Sequence, residues 1–220
     1  MKHFRLTGTV MLTLLFCGCI TGSAAEGNKL LWQIGQADND TAEFALGPDR
    51  SNQYLTAFPH DAFFVAGQSD PKQDWPYIQP GPVDAWAGGR SHTFTILFGL
   101  RAASDTGACA LTLDFVDTHS AMPPKMEIKI NDTSFVRELP RGAGDASAHG
   151  QPDKGREYRL VVDFPAEVLK AGNNTITITS LAGSWVLYDQ VALTAPAGVE
   201  MGTPSPMTKL LDVYSQPFLV

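Results

Sequence analysis

Residues 125–130 read Lys-Met-Glu-Ile-Lys-Ile, an alternation of charged and apolar side chains that decides the fold class. A period of two places Met126, Ile128 and Ile130 on one face of a β-strand and the charges on the other. The same alternation predicts strands at residues 30–34, 42–46, 92–100, 111–115, 158–162, 176–178 and 185–193. Strands of this kind have one buried and one solvated face.

Helices are nearly absent from the pattern. One short helical turn is predicted between Pro165, which suits a first helical position, and Gly172, which suits an exit. Stretches rich in turn-forming residues separate the other segments, the longest at residues 142–155. Many short strands without long helices predict an all-β fold, an antiparallel sandwich or barrel.

Composition limits the possible functions. The chain has 220 residues, of which 44% are hydrophobic and 18% charged, and this is enough for one domain. A formal net charge of -7 argues against a protein that binds nucleic acid through its phosphates. Three cysteines cannot form a disulfide framework, and Cys109, in an apolar run, is predicted to be a small buried hydrophobe.

Residues 1–25 are predicted to be a signal peptide. Lys2 and Arg5 precede an apolar run that is too short to span a bilayer, and small residues then allow cleavage before Glu26. The mature protein is therefore expected to be secreted, periplasmic or extracellular. Loss of the two cations takes its formal net charge from -7 to -9. The alternative is a lipid anchor at Cys19.

The mature chain is predicted to have two parts. Residues 26–194 form the sandwich, and residues 195–220 form a Pro/Gly linker and an apolar C-terminal tail. The tail either packs back on the sandwich or begins another domain. Residues 68–89 are rich in Pro, Gly, Asp and aromatic residues and predict a long ordered loop over one face. No integral membrane span is expected, since no further apolar segment is long enough.

Four stretches stand out together: residues 31–44, which open with Leu-Trp-Gln-Ile-Gly; residues 80–86, Pro-Gly-Pro-Val-Asp-Ala-Trp; residues 92–100; and residues 169–193, with Gly-Asn-Asn at 172–174 and Gly-Ser-Trp-Val-Leu-Tyr-Asp-Gln-Val at 183–191. Over about residues 30–194 the chain resembles the carbohydrate-binding-like domain at the C-terminal end of rhamnogalacturonan lyases. The resemblance implies a galactose-binding-like jelly-roll β-sandwich, an extracellular setting and a role in holding polysaccharide. It does not imply lyase activity, because those enzymes carry their catalytic residues in a large N-terminal domain.

Sugar binding by a sandwich needs flat aromatic faces, on which pyranose C–H groups stack, with polar groups beside them. The candidate carbohydrate-binding residues, all in residues 74–92, are Trp75, Tyr77, Asp84, Trp86, Arg90 and His92. Arg90 is the nearest cation for an acidic pectic sugar. The alternative is that Trp75, Tyr77 and Trp86 are core at the end of the sandwich. Trp32 and Trp185 lie in predicted strands and are expected to be core.

A structural calcium is the candidate cofactor, because sandwich modules of the type that the chain resembles often hold one between the first and last strands. Calcium takes hard oxygen ligands. The candidate ligands are Glu43, near the first strand, and Asp189, in the last, with Asp38 as an auxiliary. The alternative is that Asp189 pairs with an arginine or with backbone amides, or lies at the solvated edge of its strand.

Signatures of catalysis are weak. None of the four histidines after residue 25 lies in a metal-binding spacing, and the chain has no Gly-x-Ser-x-Gly motif. His149 lies in a Gly/Ala/Ser loop and is expected to be solvated. Asp114 and Asp117 are an available acid–base pair for glycoside cleavage, but alternation predicts that Asp114 lies on a solvated strand face. The sequence therefore predicts no catalytic residues.

These observations together predict a secreted, non-catalytic protein that resembles a carbohydrate-binding module and assists the degradation of plant-type pectic polysaccharide such as rhamnogalacturonan. Its expected partners are polysaccharide and a catalytic domain or enzyme, and nucleic acid is not expected. Two alternatives stay open. One is a polysaccharide lyase, or a fragment or subunit of one. The other is a structural spacer that docks on a partner.

Overall fold

The computed structural model describes Met1 and residues 27–205. The predicted signal peptide, with Cys19 and the cleavage position, and the apolar tail from residue 206 lie outside the described residues. No helix in the described part of the chain is long and apolar enough to cross a membrane.

Residues 27–205 form two sheets that pack face to face, and these sheets contain eleven strands. The strands are β1 (Lys29–Gly35), β2 (Phe63–Val65), β3 (Ile78–Gln79), β4 (Thr93–Ala102), β5 (Ala108–Thr118), β6 (Lys125–Ile130), β7 (Thr133–Glu138), β8 (Tyr158–Pro165), β9 (Gly172–Ala182), β10 (Val186–Ala195) and β11 (Glu200–Gly202). The α-helices of these residues are short, α1 (Tyr54–Ala57) and α2 (Pro71–Asp74).

The strand order identifies the fold. The first sheet has the order β1-β10-β5-β8, with β3 also paired to β10, and the second has the order β11-β4-β9-β6-β7, with β2 also paired to β4. Pairing is antiparallel except between β2 and β4. The predicted all-β, antiparallel jelly-roll sandwich is thereby confirmed. Most neighbours within a sheet are distant in sequence, so loops from distant parts of the chain meet at each end.

Aromatic side chains from both sheets and from the connecting loop fill the core. Phe94 of β4 and Tyr188 of β10 stack with their ring centroids 6.0 Å apart. Trp75, which follows α2, lies edge-on to both rings at 5.1 and 5.3 Å. All three side chains are buried completely. The rings join the two layers and hold the loop of residues 68–89 against the sandwich.

The Gly-Asn-Asn segment, predicted to be a turn, forms the first residues of β9 and is fixed by the buried side chain of Asn174. Its Oδ1 accepts hydrogen bonds from the backbone N–H of Lys170 and from Nδ2 of Asn131, each 2.9 Å long. Its Nδ2 donates to the carbonyls of Lys170 and Gly172. Both polar atoms are therefore satisfied, as burial requires.

Several elements differ from the sequence-based expectations. Residues 42–46, predicted to be a strand, form turns in which only Ala45 makes an isolated bridge, because Leu46 has a φ of 63° and cannot continue an extended chain. The short strands β2 and β3 and the edge strand β7 were not predicted, since none shows a clear apolar alternation. β11 lies inside the predicted Pro/Gly linker and pairs with β4, so the second sheet extends to Gly202.

The predicted helical turn after Pro165 is present as a single 3-10 turn, Ala166–Val168. It ends at Leu169, earlier than the sequence indicates, and Gly172 instead opens β9 with a φ of 89°. Cys109 is buried as predicted, and burial raises the pKa of its thiol to about 11.

Replacement of Asn174 by alanine should destabilise the protein by about 1–3 kcal/mol, because it leaves the backbone N–H of Lys170 without its acceptor and removes one of the hydrogen bonds of the Asn131 side chain. Asn173→Ala is the matched control, since the side chain of Asn173 bonds only the exposed backbone of Ser205. Urea unfolding of the two variants measures the difference. Equal losses would contradict the role given to Asn174.

Candidate functional site

The structure separates the six predicted sugar-binding residues into buried and accessible ones. Trp75, Tyr77 and His92 have no exposed surface, and Asp84 is 6% exposed. A ring without exposed surface cannot stack on a sugar, so the prediction of Trp75 and Tyr77 as stacking platforms is corrected, and the core alternative holds for both. Trp86 is 37% exposed. The sequence could not show which of these aromatic residues are buried and which are exposed, because all of them lie in one irregular stretch without a periodic alternation of apolar residues.

Tyr77 has a positioning role in place of a binding one. Its hydroxyl donates a 2.8 Å hydrogen bond to the carbonyl of Ala148, in the loop between β7 and β8. Burial raises the pKa of Tyr77 to about 12, so the hydroxyl keeps the proton that it donates. The predicted binding loop and the loop of residues 143–150 are thereby connected.

Arg90, whose side chain is partly exposed, and the buried His92 belong to a hydrogen-bonded cluster around the carboxylate of Asp61. Both guanidinium NH groups of Arg90 donate to the carboxylate of Asp61, at 2.8 and 3.0 Å, and Nδ1 of His92 lies 2.6 Å from Oδ1. The backbone N–H of Thr93 and the hydroxyl of Tyr54 also donate to it. The charge of Arg90 is thus already paired, which removes the reason for assigning it to an acidic sugar.

A cleft of about 400 Å³ opens at the end of the sandwich beside Trp86. Its lining consists of Ser51, Asn52, Ile78, Asp84, Trp86, His119, Asp145, Ala148, His149 and Trp185. These residues come from loops that are distant in sequence and meet here because β5 and β10 are paired, with Thr118 opposite Val186. Trp185 is buried as predicted but still forms part of the cleft wall.

One wall of the cleft is held by Asp84. Its Oδ2 accepts the backbone N–H of Gly81 at 2.8 Å, and its Oδ1 accepts the hydroxyl of Ser184. Gly81 lies so close to the neighbouring loop that an added Cβ would be 2.3 Å from the carbonyl oxygen of Gly183. Only glycine allows this approach, and the wall that carries Trp86 is therefore rigidly attached.

The opposite wall, residues 143–149, is held by the buried Asp117 at the end of β5. Its Oδ1 accepts the backbone N–H of Ala143 at 2.9 Å, and its Oδ2 accepts the hydroxyl of Ser147 at 2.7 Å. His149 at the rim is exposed, as predicted, and its Nδ1 lies 3.0 Å from the carboxylate of Asp49. Sequence analysis did not assign His119, Asp145 or His149 to a site, because only tertiary pairing brings them to Trp86.

Asp114 and Asp117 do not form an accessible acid–base pair. Both are buried, which corrects the expectation that Asp114 lies on a solvated face. Burial raises the pKa of Asp114, and its Oδ1 has no hydrogen-bond partner in the described structure. The oxygens of Asp117 are engaged by the loop that it anchors.

The three predicted calcium ligands do come together. One carboxylate oxygen from each of Asp38, Glu43 and Asp189 lies within 4.8 Å of the other two. Asp189 is buried in a bulge of β10 and accepts the backbone N–H groups of Asp38 and Asn39, at 3.3 and 3.0 Å. The backbone-amide alternative for Asp189 is thus correct, and it coexists with the acidic cluster.

The electrostatics of this cluster fit a cation. Burial, together with the neighbouring carboxylates of Asp114 and Asp38, raises the pKa of Asp189 to about 6, although the backbone N–H groups of Asp38 and Asn39 lower it in part. Burial also raises the pKa of Glu43. Oδ1 of Asn39, whose backbone already contacts Asp189, is buried without a hydrogen-bond partner. A hard divalent cation prefers oxygen ligands. This cluster offers several carboxylate oxygens whose negative charge protein hydrogen-bond donors compensate only in part.

Replacement of Asp61 by asparagine should destabilise the protein by ~3 kcal/mol at neutral pH, because the guanidinium of Arg90 and the imidazole of His92 lose their carboxylate partner. Burial alone would raise the pKa of Asp61, but hydrogen bonds from His92, Arg90 and Thr93 lower it to about 2. The stabilisation is therefore complete above the unfolded-state pKa near 4 and is lost as the pH falls through about 2. Urea unfolding of the wild type and of the variant across this pH range should show that the difference in their free energies of unfolding decreases as the pH falls. A difference that is constant with pH would refute the assignment.

Comparison with solved structures gives weak similarities. Among solved structures, a family 35 carbohydrate-binding module from an environmental isolate has a TM-score of 0.35 at 16% identity, over 53% of this chain and 72% of that one. A family 35 module from Cellvibrio japonicus has a TM-score of 0.34 at 14% identity, over 52% and 71%. Similarities this low carry no argument about a ligand.

The sequence comparisons are more specific. The rhamnogalacturonate lyase of Dickeya dadantii (strain 3937) is 32% identical over 177 residues, which are 78% of this chain but 28% of that enzyme, so the chain spans less than a third of this relative. The family model described as CBM-like, polysaccharide lyase family 4, domain III, matches residues 30–193. This range is nearly the whole described sandwich, and the chain therefore belongs to the carbohydrate-binding-module-like domain III family of polysaccharide lyase family 4.

Proposed function

We propose that this protein is an exported, non-catalytic carbohydrate-binding module that assists the degradation of pectic polysaccharide. The observation that carries the proposal is the cleft beside Trp86, which combines an accessible indole with polar side chains in a chain of a carbohydrate-binding-module-like family. The relative from Dickeya dadantii is named a rhamnogalacturonate lyase, which supports pectin as the polysaccharide class.

The cleft has the chemistry that sugar recognition requires. The exposed part of Trp86 offers an apolar face for the C–H groups of a pyranose, and its ring is held edge-on by Tyr54, with centroids 6.2 Å apart. Asn52, Ser51 and Asp145 supply hydrogen-bonding groups for hydroxyls around it. Because hydrogen bonds fix both walls, binding orders few groups and loses little conformational entropy.

The same contacts support a non-catalytic role. Both carboxylate oxygens of Asp84 are engaged in holding the wall, and Nδ1 of His119 accepts the backbone N–H groups of Ala121 and Met122 at 3.2 and 2.9 Å. These groups are committed to structure, whereas a general base must be free to take a proton from substrate. Export is supported by the pattern of residues 1–25.

Activity as a lyase, or as a fragment or subunit of one, is the second candidate, and the name of the Dickeya relative favours it. Incubation of the purified protein with rhamnogalacturonan distinguishes the two. Release of unsaturated uronate, followed by its ultraviolet absorbance, would replace the binding role with a catalytic one. A folded protein that neither binds nor cleaves glycan would favour a spacer that docks on a partner domain.

We also propose that Asp38, Glu43 and Asp189 hold a structural calcium ion, with Oδ1 of Asn39 as a further oxygen donor. The three carboxylates would supply the ligands. The positive charge of the ion would offset the unfavourable burial of their negative charges. The ion would join the segment after β1 to β10. Its role is stability, because the cluster does not share residues with the cleft.

Substitution of Trp86 by alanine should weaken binding to pectic rhamnogalacturonan, arabinan or galactan at least tenfold, or ~1.4 kcal/mol, because the stacking face is lost. Affinity electrophoresis and calorimetry measure the change. Val83→Ala is the matched control, since Val83 is exposed in the same loop but does not line the cleft. Equal binding by both variants would rule out the cleft as the site.

Calcium should raise the melting temperature of the wild-type protein, and a chelator should reverse the shift, because a ligand that binds only the folded state stabilises it. Asp189→Asn should abolish the shift, whereas Asp163→Asn, at an exposed acid of β8 outside the cluster, should retain it. Differential scanning calorimetry of the three proteins with and without calcium is the measurement. A shift that survives in Asp189→Asn would place the ion elsewhere.

A further inference from the structure

We infer that the cleft beside Trp86 selects neutral glycan chains and rejects uronates, so that its ligand is an uncharged, hydroxyl-rich part of the polysaccharide such as galactan or arabinan. The inference rests on the proposed function and adds the class of sugar. It follows from the charges that line the cleft and from the way the nearby cations are paired.

The charged side chains of the cleft are acidic. Asp84 and Asp145 both line it, and the described lining contains no lysine or arginine. Asp145 lines the cleft and is exposed, so its carboxylate is accessible to a bound sugar. A uronate carboxylate placed in this cleft would approach two carboxylates in a partly desolvated space, which disfavours its charged form.

Arg90 and His149 do not offset this charge. The guanidinium of Arg90 is outside the cleft lining and is held by Asp61 in two hydrogen bonds of 2.8 and 3.0 Å. His149 lies 3.0 Å from the carboxylate of Asp49. Recognition of a carboxylate commonly uses a free, bidentate arginine, and neither of these groups offers one.

His119 provides a donor suited to a hydroxyl. Its Nδ1 accepts two backbone N–H groups, from Ala121 and Met122, which fixes the tautomer with the proton on Nε2. The ring is held edge-on against Trp185, with centroids 5.5 Å apart. The cleft therefore presents one oriented N–H donor together with the exposed carboxylate acceptor of Asp145. A sugar hydroxyl, which both donates and accepts, matches this set, whereas a carboxylate only accepts.

The test is calorimetric titration of the wild-type protein with oligosaccharides of galactan, arabinan and polygalacturonate in one buffer. A neutral oligosaccharide should bind at least tenfold more tightly than oligogalacturonate. Raising the salt to about 0.5 M should leave neutral binding unchanged and strengthen any residual uronate binding, because salt screens the repulsion.

Asp145→Lys tests the cause of the selectivity. It should raise the affinity for oligogalacturonate at least threefold, whereas Asp163→Lys makes the same change in net charge on exposed β8 and should not. Equal gains in the two variants would assign the effect to net charge and overturn the inference.

The outcomes also separate this inference from the function on which it rests. Preferential binding of oligogalacturonate by the wild type, lost in Trp86→Ala, would overturn the selectivity but leave the binding function in place. Absence of binding to every glycan by the folded protein would overturn both.

Discussion

The contact on which the rest of this structure depends is the aromatic cluster of Phe94, Tyr188 and Trp75 between the two sheets. Phe94 and Tyr188 come from different layers, so their stacking joins the layers at one point. Trp75 comes from the long loop and is buried completely between them. In a loop that lacks regular hydrogen bonds, burial of large aromatic side chains is the main favourable contribution to the free energy of folding. Here the burial of Trp75 fixes the segment that leads to Trp86.

Buried carboxylates organise the loops at the end of the sandwich. Asp84, Asp117 and Asp61 each accept several hydrogen bonds from backbone amides or side chains of neighbouring loops. A buried carboxylate is costly unless it is paired, so each one favours a single loop arrangement over the alternatives. Asp84 and Asp117, which are candidates for chemistry in the sequence, for this reason hold loops in place in the folded protein. The accessible side chains of the cleft that they shape are mainly Trp86 and its polar neighbours.

The cluster of Asp38, Glu43 and Asp189 differs from these carboxylates in one respect. Asp61, Asp84 and Asp117 have their oxygens occupied by protein donors, whereas Asp189 has a raised pKa and two acidic neighbours. Protein donors thus compensate Asp61, Asp84 and Asp117, whereas the acids around Asp189 are the group for which we propose a bound cation. The distinction appears only when the hydrogen bonds of each carboxylate are counted.

The sequence by itself determined the all-β class, the main strands and the family, because alternation with a period of two is a local property and the motifs at residues 31–35 and 183–191 are contiguous. It also indicated Asp38, Glu43 and Asp189 as candidate cation ligands, and the structure brings these three acids together. It could not decide which aromatic residues of the long loop are exposed, since burial depends on what packs over the loop. Only the tertiary structure placed His119, Asp145 and Trp185 beside Trp86, because antiparallel pairing of β5 with β10 joins loops that are far apart along the chain.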